Sequence, residues 1–288
     1  MKRILICPNP MRDIDLSTAN VIMSALNGHA IATVYPLDYV SEARTEPIGA
    51  DLEAICKEIE QSDVVVCLGG DGTILHLARM TAPLGVPLLT VNLGTKGFMA
   101  ELEADEIDQI IAAALAEKIR IDERMMIDVQ VSRAGKIIFS DFALNDAVVR
   151  GLTRIVNLSV YGDNQLITHF SGDGIIISTP TGSTAYSMSA GGPIVEPSAK
   201  NLAIVPICAH ALIAKSFVLA PERKVMVKLA LFGGKEAFLS VDGGSFPLEN
   251  EDEIYLQQSS YVTRLVRVSG RSFYQLLGEK LGSSGEKL

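Results

Sequence analysis

The sequence predicts an α/β N-terminal domain on a Rossmann-like parallel sheet, followed by a mainly β C-terminal domain. Three observations carry this. Apolar strand runs alternate with segments of helical spacing up to Lys118, as in a doubly wound parallel sheet. From Ile119 the texture changes to short β-branched runs split by Gly, Asp and Asn turns. The 288 residues are enough for two domains, each with its own core, since single domains usually hold ~100–200.

Taken in order, "RILICPN" reads as a first buried strand, "DLSTANVIMSALNG" as a helix closed by Gly28, and "AIATVYP" as a second strand. "GADLEAICKEIEQS" has helical spacing, "DVVVCLGG" is a strand, "TILHLARMTA" a helix and "VPLLTVN" a strand. "DEIDQIIAAALAEK" is the helix that leaves the first domain. The β part comprises "IRIDERMMIDVQVSR", "KIIFSDFALNDAVVR", "IVNLSVYG", "GIIISTP", "KVMVKLA", "AFLSVDGG" and "EIYLQQSS". A final helix, "YQLLGEKLG", precedes a Gly/Ser/Lys tail that is expected to fray. The expected boundaries are 1–118 for the α/β domain and 119–270 for the β domain. Residues 271–288 form a C-terminal segment whose helix can return to the first domain.

Composition narrows the function classes. Hydrophobic residues at 48% and charged residues at 20% fit a globular chain and exclude a largely disordered one. A net charge of −9 argues against a general nucleic-acid binder, which needs a basic surface. The apolar stretch "NLAIVPICAHALIA" is broken by Pro206 and His210, short of the ~20 residues of a membrane span. After Lys2 and Arg3 only "ILIC" is apolar, too little for a secretory signal. A cytoplasmic protein without nucleic-acid or membrane partners is therefore expected. Cys7, Cys56, Cys67 and Cys208 stand far apart, with no zinc-site spacing; they read as buried, reduced thiols, and no metal-ligand set is assigned.

Two constellations carry chemistry. In "LGGDGT" a single carboxylate, Asp71, lies among glycines at the carboxyl end of a predicted parallel strand, where ligands bind in such sheets. Gly70 and Gly72 let backbone approach a bulky group, and the N–H groups opening the next helix suit a phosphate. An acid there repels phosphate unless it orients a hydroxyl, accepts a proton or works with a metal ion. Phosphoryl transfer to an alcohol needs all these parts; an Asp capping the helix in a tight turn is the competing reading. No P-loop, no G-x-G-x-x-G fingerprint and no H-R-D loop is present.

The second constellation is "SGDGIIISTPTGSTAYSMSAGGPIV", residues 171–195. Its Thr179, Thr181, Ser183, Thr184, Tyr186, Ser187 and Ser189 offer uncharged hydrogen bonds to a ribose or heterocycle, against a plain Ser/Thr surface loop. Asp173 sits between two glycines. Asn145 and Asp146 in "ALNDAVV" pair an amide with a carboxylate, suited to ribose hydroxyls, or else form a simple turn.

These residues closely resemble those of the NAD kinases over nearly the whole chain. "GGDGT", "NLGTKGFMAEL", "ERMMID", "ALNDAVV", "DGIIISTPTGSTAYSMSAGGPIV" and "SVDGG" stand in the family's order. "GGDGT" is shared with lipid kinases of the diacylglycerol type, whereas the long Thr/Ser segment is far more specific. The resemblance implies an active site in the cleft between the two domains. It implies transfer of the terminal phosphate of ATP, or of polyphosphate, to the 2′-hydroxyl of the adenosine ribose of NAD, giving NADP. It further implies Mg²⁺ or another divalent cation with the donor, and homo-dimers or homo-tetramers in which a neighbouring subunit helps to build the NAD site. By the same resemblance Asp71 is the catalytic carboxylate, with Gly70, Gly72 and Thr73 near the phosphates. Asn145 and Asp146 then lie on the dinucleotide, and Asp173, Thr184, Ala185, Tyr186 and Ser189 line the NAD pocket. The chain departs from the family pattern at Lys96, at Lys215-Ser216 and in "DGG" for the commoner "DGQ". Lys96 is either a donor-binding cation or a solvated turn lysine. A "GGDGT" lipid kinase and a non-catalytic NAD(P)-binding sensor are the rival expectations.

Overall fold

A computed structural model describes residues 1–37, 49–94, 97–210, 214–231, 236–268 and 270–282. The chain divides into two compact units, with the divisions at 123/124 and 262/263.

The first unit opens with β1 (Arg3–Pro8), α1 (Ser17–Leu26), β2 (Ile31–Val34) and α2 (Gly49–Glu60), then β3 (Val64–Gly69), α3 (Asp71–Leu84) and β4 (Leu88–Asn92). A two-residue strand, β5 (Leu102–Glu103), which the sequence pattern does not signal, precedes α4 (Ile107–Leu115). β1, β3 and β4 are almost wholly buried because parallel strands carry helices on both faces, which explains their unbroken apolar runs. Every pairing, in the order β2-β1-β3-β4, is parallel. Asp13 anchors α1: its carboxylate accepts the N–H groups of Thr18 (2.8 Å) and Ala19 (3.0 Å). Ile22, Leu26, Val66, Leu68, Val91 and Ile110 are among the residues packing its core.

The second unit is antiparallel. It holds β6 (Arg120–Arg133), whose first residues belong to the first unit, then β7 (Lys136–Ala143), β8 (Asp146–Gly151), β9 (Val156–Gly162), β10 (Gln165–Gly172) and β11 (Gly174–Ser178). A 3-10 turn at Thr181–Thr184 and the one-turn helix α5 (Tyr186–Ser189) stand where the sequence allowed a loop. There follow β12 (Leu202–Ile207), β13 (Phe217–Leu219), β14 (Val225–Ala230), β15 (Ala237–Val241), β16 (Gly244–Leu248) and β17 (Glu253–Arg267). One sheet of six strands runs β13-β12-β11-β8-β15-β16. Another group includes β10-β9-β14-β17 and the β6-β7 hairpin. Alternating strands such as "VMVKLA" bury every second residue between the layers, with Val149, Val160, Ile175, Val227 and Leu239 in that core.

The end of β17 rejoins the first unit, where Leu265 pairs in parallel with Leu88. The last helix, α6 (Phe273–Gly282), also belongs there. Cys7 and Cys67 are buried, and burial pushes both thiols up; Cys56 is half-buried and Cys208 is exposed, unlike the burial expected for all four. No described helix is long and apolar enough to cross a membrane.

Candidate functional site

Each unit gathers a set of the residues that the sequence singles out. In the first, the buried strand β3 ends at Gly69, Gly70 takes an extended conformation (φ −106°, ψ −171°), and α3 begins at once with Asp71. The helix thus starts two residues before the expected "TILHLARM". Asp71 does not cap it, for no side chain caps α3. Its carboxylate turns instead to a segment far along the chain, accepting the backbone N–H groups of Phe98 (3.0 Å, Oδ2) and Met99 (3.3 Å, Oδ1). With one N–H on each oxygen, the orientation of the carboxylate is fixed while further lone pairs remain.

Gly97 permits this approach. A Cβ there would stand 2.6 Å from Asp71 Cγ and nearer still to Oδ1, so any other residue forces the carboxylate aside. By contrast, a Cβ on Gly70 or Gly72 would meet nothing within 4 Å among the described residues, so none of these crowds the backbone beside Asp71. Thr73 is buried, and its Oγ1 accepts from Asn9 Nδ2 at 3.1 Å, tying the loop after β1 to the first turn of α3. As an acceptor in this bond, the hydroxyl keeps its own proton to donate. Lys96 lies outside the described residues.

In the second unit, register decides what meets. β8 pairs with β11 with Asp146 opposite Ser178, and with β15 with Ala147 opposite Val241. Asn145, Thr179 and Asp242 consequently gather at one end of the six-stranded sheet. The Asp242 carboxylate accepts the N–H groups of Leu144 (2.6 Å), Asn145 (2.8 Å) and Asp146 (3.2 Å), and so holds the whole "LND" turn. Asp242 is the residue the sequence reading passes over, although "SVDGG" contains it. Asp146 is buried, and its carboxyl is pushed up to about 7, first by burial and then by the neighbouring charge of Asp242.

Asn145 is 9% exposed, and its Oδ1 is a buried acceptor without a partner among the described residues. An orphaned amide oxygen costs free energy unless a ligand or water satisfies it. The Thr/Ser segment packs directly on this turn: Thr179 N–H donates to the Asn145 carbonyl (2.9 Å) and its hydroxyl to Leu144 O. A Cβ on Gly182 would stand 2.8 Å from Asn145 Cα, so only glycine allows the contact.

The hydroxyls of the segment divide in two. Thr179, Thr181, Ser183 and Ser187 are buried. Ser183 donates to Pro180 O (2.7 Å) and accepts Val195 N–H (3.0 Å), while Thr181 accepts from the buried Arg124 (3.3 Å). Thr184 and Ala185 are half-buried, and Tyr186 and Ser189 are exposed, so these four reach solvent. Asp173 stands apart. It precedes β11, whereas the Thr/Ser segment follows it, so five strand residues, roughly 17 Å, lie between. There it receives a hydrogen bond from the Cys208 thiol, which raises that thiol's pKa.

A family model described as the ATP-NAD kinase N-terminal domain matches residues 11–119, and one described as the ATP-NAD kinase C-terminal domain matches residues 145–268. The chain is 38% identical over 291 residues to a protein of Acetivibrio thermocellus named NAD kinase, covering 100% of both chains. It is 40% identical over 236 residues to the NAD kinase of Carboxydothermus hydrogenoformans, covering 80% of this chain and 83% of that one. Among solved structures, yeast NADH kinase complexed with NADH has the same fold at a TM-score of 0.83, with 24% identity over 100% of this chain and 90% of that one. An NAD kinase from Archaeoglobus fulgidus in complex with ATP matches at 0.72, with 23% identity over 99% and 100%.

Proposed function

The chain belongs to the NAD kinase family, and on that premise we propose how its residues carry out the reaction: transfer of the terminal phosphate of ATP, or of polyphosphate, to the 2′-hydroxyl of the adenosine ribose of NAD. The protein is a phosphotransferase with an alcohol as acceptor. The observation that carries the assignment of roles is Asp71, held by two backbone N–H groups at the start of α3 beside glycines that no described residue crowds.

Asp71 orients the ribose hydroxyl and accepts its proton as the oxygen–phosphorus bond forms. The bond between the terminal phosphorus and its bridging oxygen breaks, and ADP leaves, or the polyphosphate shortened by one unit. The N–H groups opening α3, with Gly70 and Gly72, give the donor's phosphates a favourable place. Positioning and charge neutralisation supply most of the acceleration. No group of three His, Cys, Asp or Glu side chains that could cage an ion occurs among the described residues. An ion such as Mg²⁺ would be held by the triphosphate, its waters and Asp71, since Mg²⁺ commonly binds through one or two carboxylates and substrate phosphates. When bound, it neutralises charge developing on the phosphates.

In the second unit, Asn145 and Asp146 hold the dinucleotide, the orphaned Oδ1 of Asn145 taking a hydroxyl. Thr184, Ala185, Tyr186 and Ser189 line the same ligand, Ala185 through its backbone. Asp173, at the other end of β11, serves the NAD site of a neighbouring copy in a homo-dimer or homo-tetramer. The cytoplasm is the compartment this reading assigns. A donor–acceptor matrix with purified protein tests it: ATP or polyphosphate against NAD or NADH, reading NADP or NADPH. NADP from ATP and NAD is expected; phosphorylation of a diacylglycerol instead, or NAD binding without product, would overturn the reading.

A further inference from the structure

We infer that the backbone of residues 97–99 is the positioning cradle of Asp71, and that the C-terminal helix α6 completes it by setting Lys280 on the Phe98 ring. The inference rests on the reading of Asp71 as the catalytic carboxylate.

Three observations converge. The N–H groups of Phe98 and Met99 take one oxygen each of Asp71, so the orientation of the carboxylate depends on that backbone. Gly97, immediately before them, is the residue against which the carboxylate lies, leaving no room for a side chain. Lys280 Nζ lies 4.1 Å from the centroid of the Phe98 ring, within cation–π range.

A contiguous chain of contacts thus runs from the last helix to the reacting group. Lys280 fixes the ring, the ring belongs to the residue whose N–H orients Oδ2, and that oxygen is set for the hydroxyl proton. A carboxylate that must meet a hydroxyl within hydrogen-bond reach gains from such a clamp, because a shift of about 1 Å can cost 10²-fold in rate. Gly97, Phe98 and Lys280 are positioning residues. They act through Asp71, so their loss should lower turnover without weakening the hold on NAD.

The test uses the full-length protein. NADP formation is followed for wild type, Gly97→Ala, Phe98→Leu, Lys280→Met and Lys280→Arg, with the NAD dissociation constant and thermal unfolding measured on each. Gly97→Ala should lower kcat about 100-fold while NAD affinity stays within about two-fold. Phe98→Leu and Lys280→Met should lower kcat about two- to five-fold. Lys280→Arg should restore wild-type turnover, because a guanidinium stacks on the same ring. A folded Gly97→Ala protein with near-normal kcat overturns the inference, as do Met and Arg variants of Lys280 that behave alike. Should Gly97→Ala fail to fold, the Lys280 pair decides. Wild type that forms no NADP overturns the functional reading itself; active wild type with indifferent variants overturns only the cradle.

Discussion

Asp71 in the first unit and Asp146 in the second are both aspartates that open an element, α3 and β8, next to small or polar residues, yet their surroundings are opposite. Asp71 is partly open, stands between glycines that no described residue crowds, and receives two backbone N–H groups from a distant loop. Asp146 is buried beside a second carboxylate, and both burial and that charge push its proton affinity up. The difference teaches that a carboxylate in a turn is not a role. Orientation with access suits chemistry on a substrate, whereas burial beside another acid suits a group that shares protons and hydrogen bonds.

The contrast can be put under strain by substitution. The largest effect belongs to Asp71→Asn, which keeps the shape and loses the base: turnover should fall on the order of 10²-fold or more, seen as initial rates of NADP formation. Next comes Asp242→Ala, which strips three backbone N–H groups of their acceptor. Each buried orphan costs about 1–3 kcal/mol, so a drop of several degrees in Tm and weaker NAD binding are expected together. Asn145→Ala removes the side chain whose oxygen has no partner among the described residues, and should raise the NAD dissociation constant about ten-fold while leaving the fold stable.

A further effect concerns pH. Folding raises the Asp146 pKa from 3.8 to about 7, so between those values the native state binds its proton more tightly than the unfolded chain does. Stability from this group therefore falls as pH rises through that window. Denaturant midpoints at roughly pH 5 and pH 8 should differ less in Asp146→Asn than in wild type. An unchanged slope would show that Asp146 is not the group titrating.

Much of this was legible in the chain. The apolar runs of β1, β3 and β4 follow from burial on both faces, and the β-branched alternation beyond Ile119 follows from one-sided packing. What escaped depends on contacts through space. Gly97 reads as an ordinary turn glycine, because its reason is a carboxylate in another element; Phe98, its neighbour, lies 27 positions from Asp71. Asp242 matters only once register sets Val241 opposite Ala147. The Thr/Ser segment showed its hydroxyls but not which of them the fold consumes, and Asp173 shares a quoted motif with Thr184 while standing at the other end of a strand.

The division of labour between the two units is tested most directly by one paired measurement: kcat for NADP formation and the NAD dissociation constant, taken on both Asp71→Asn and Asn145→Ala. Asp71→Asn should lose its turnover and keep its NAD affinity, and Asn145→Ala should lose affinity and keep most of its turnover at saturating NAD. Near-normal NADP formation by Asp71→Asn, or unchanged NAD affinity in Asn145→Ala, would contradict it.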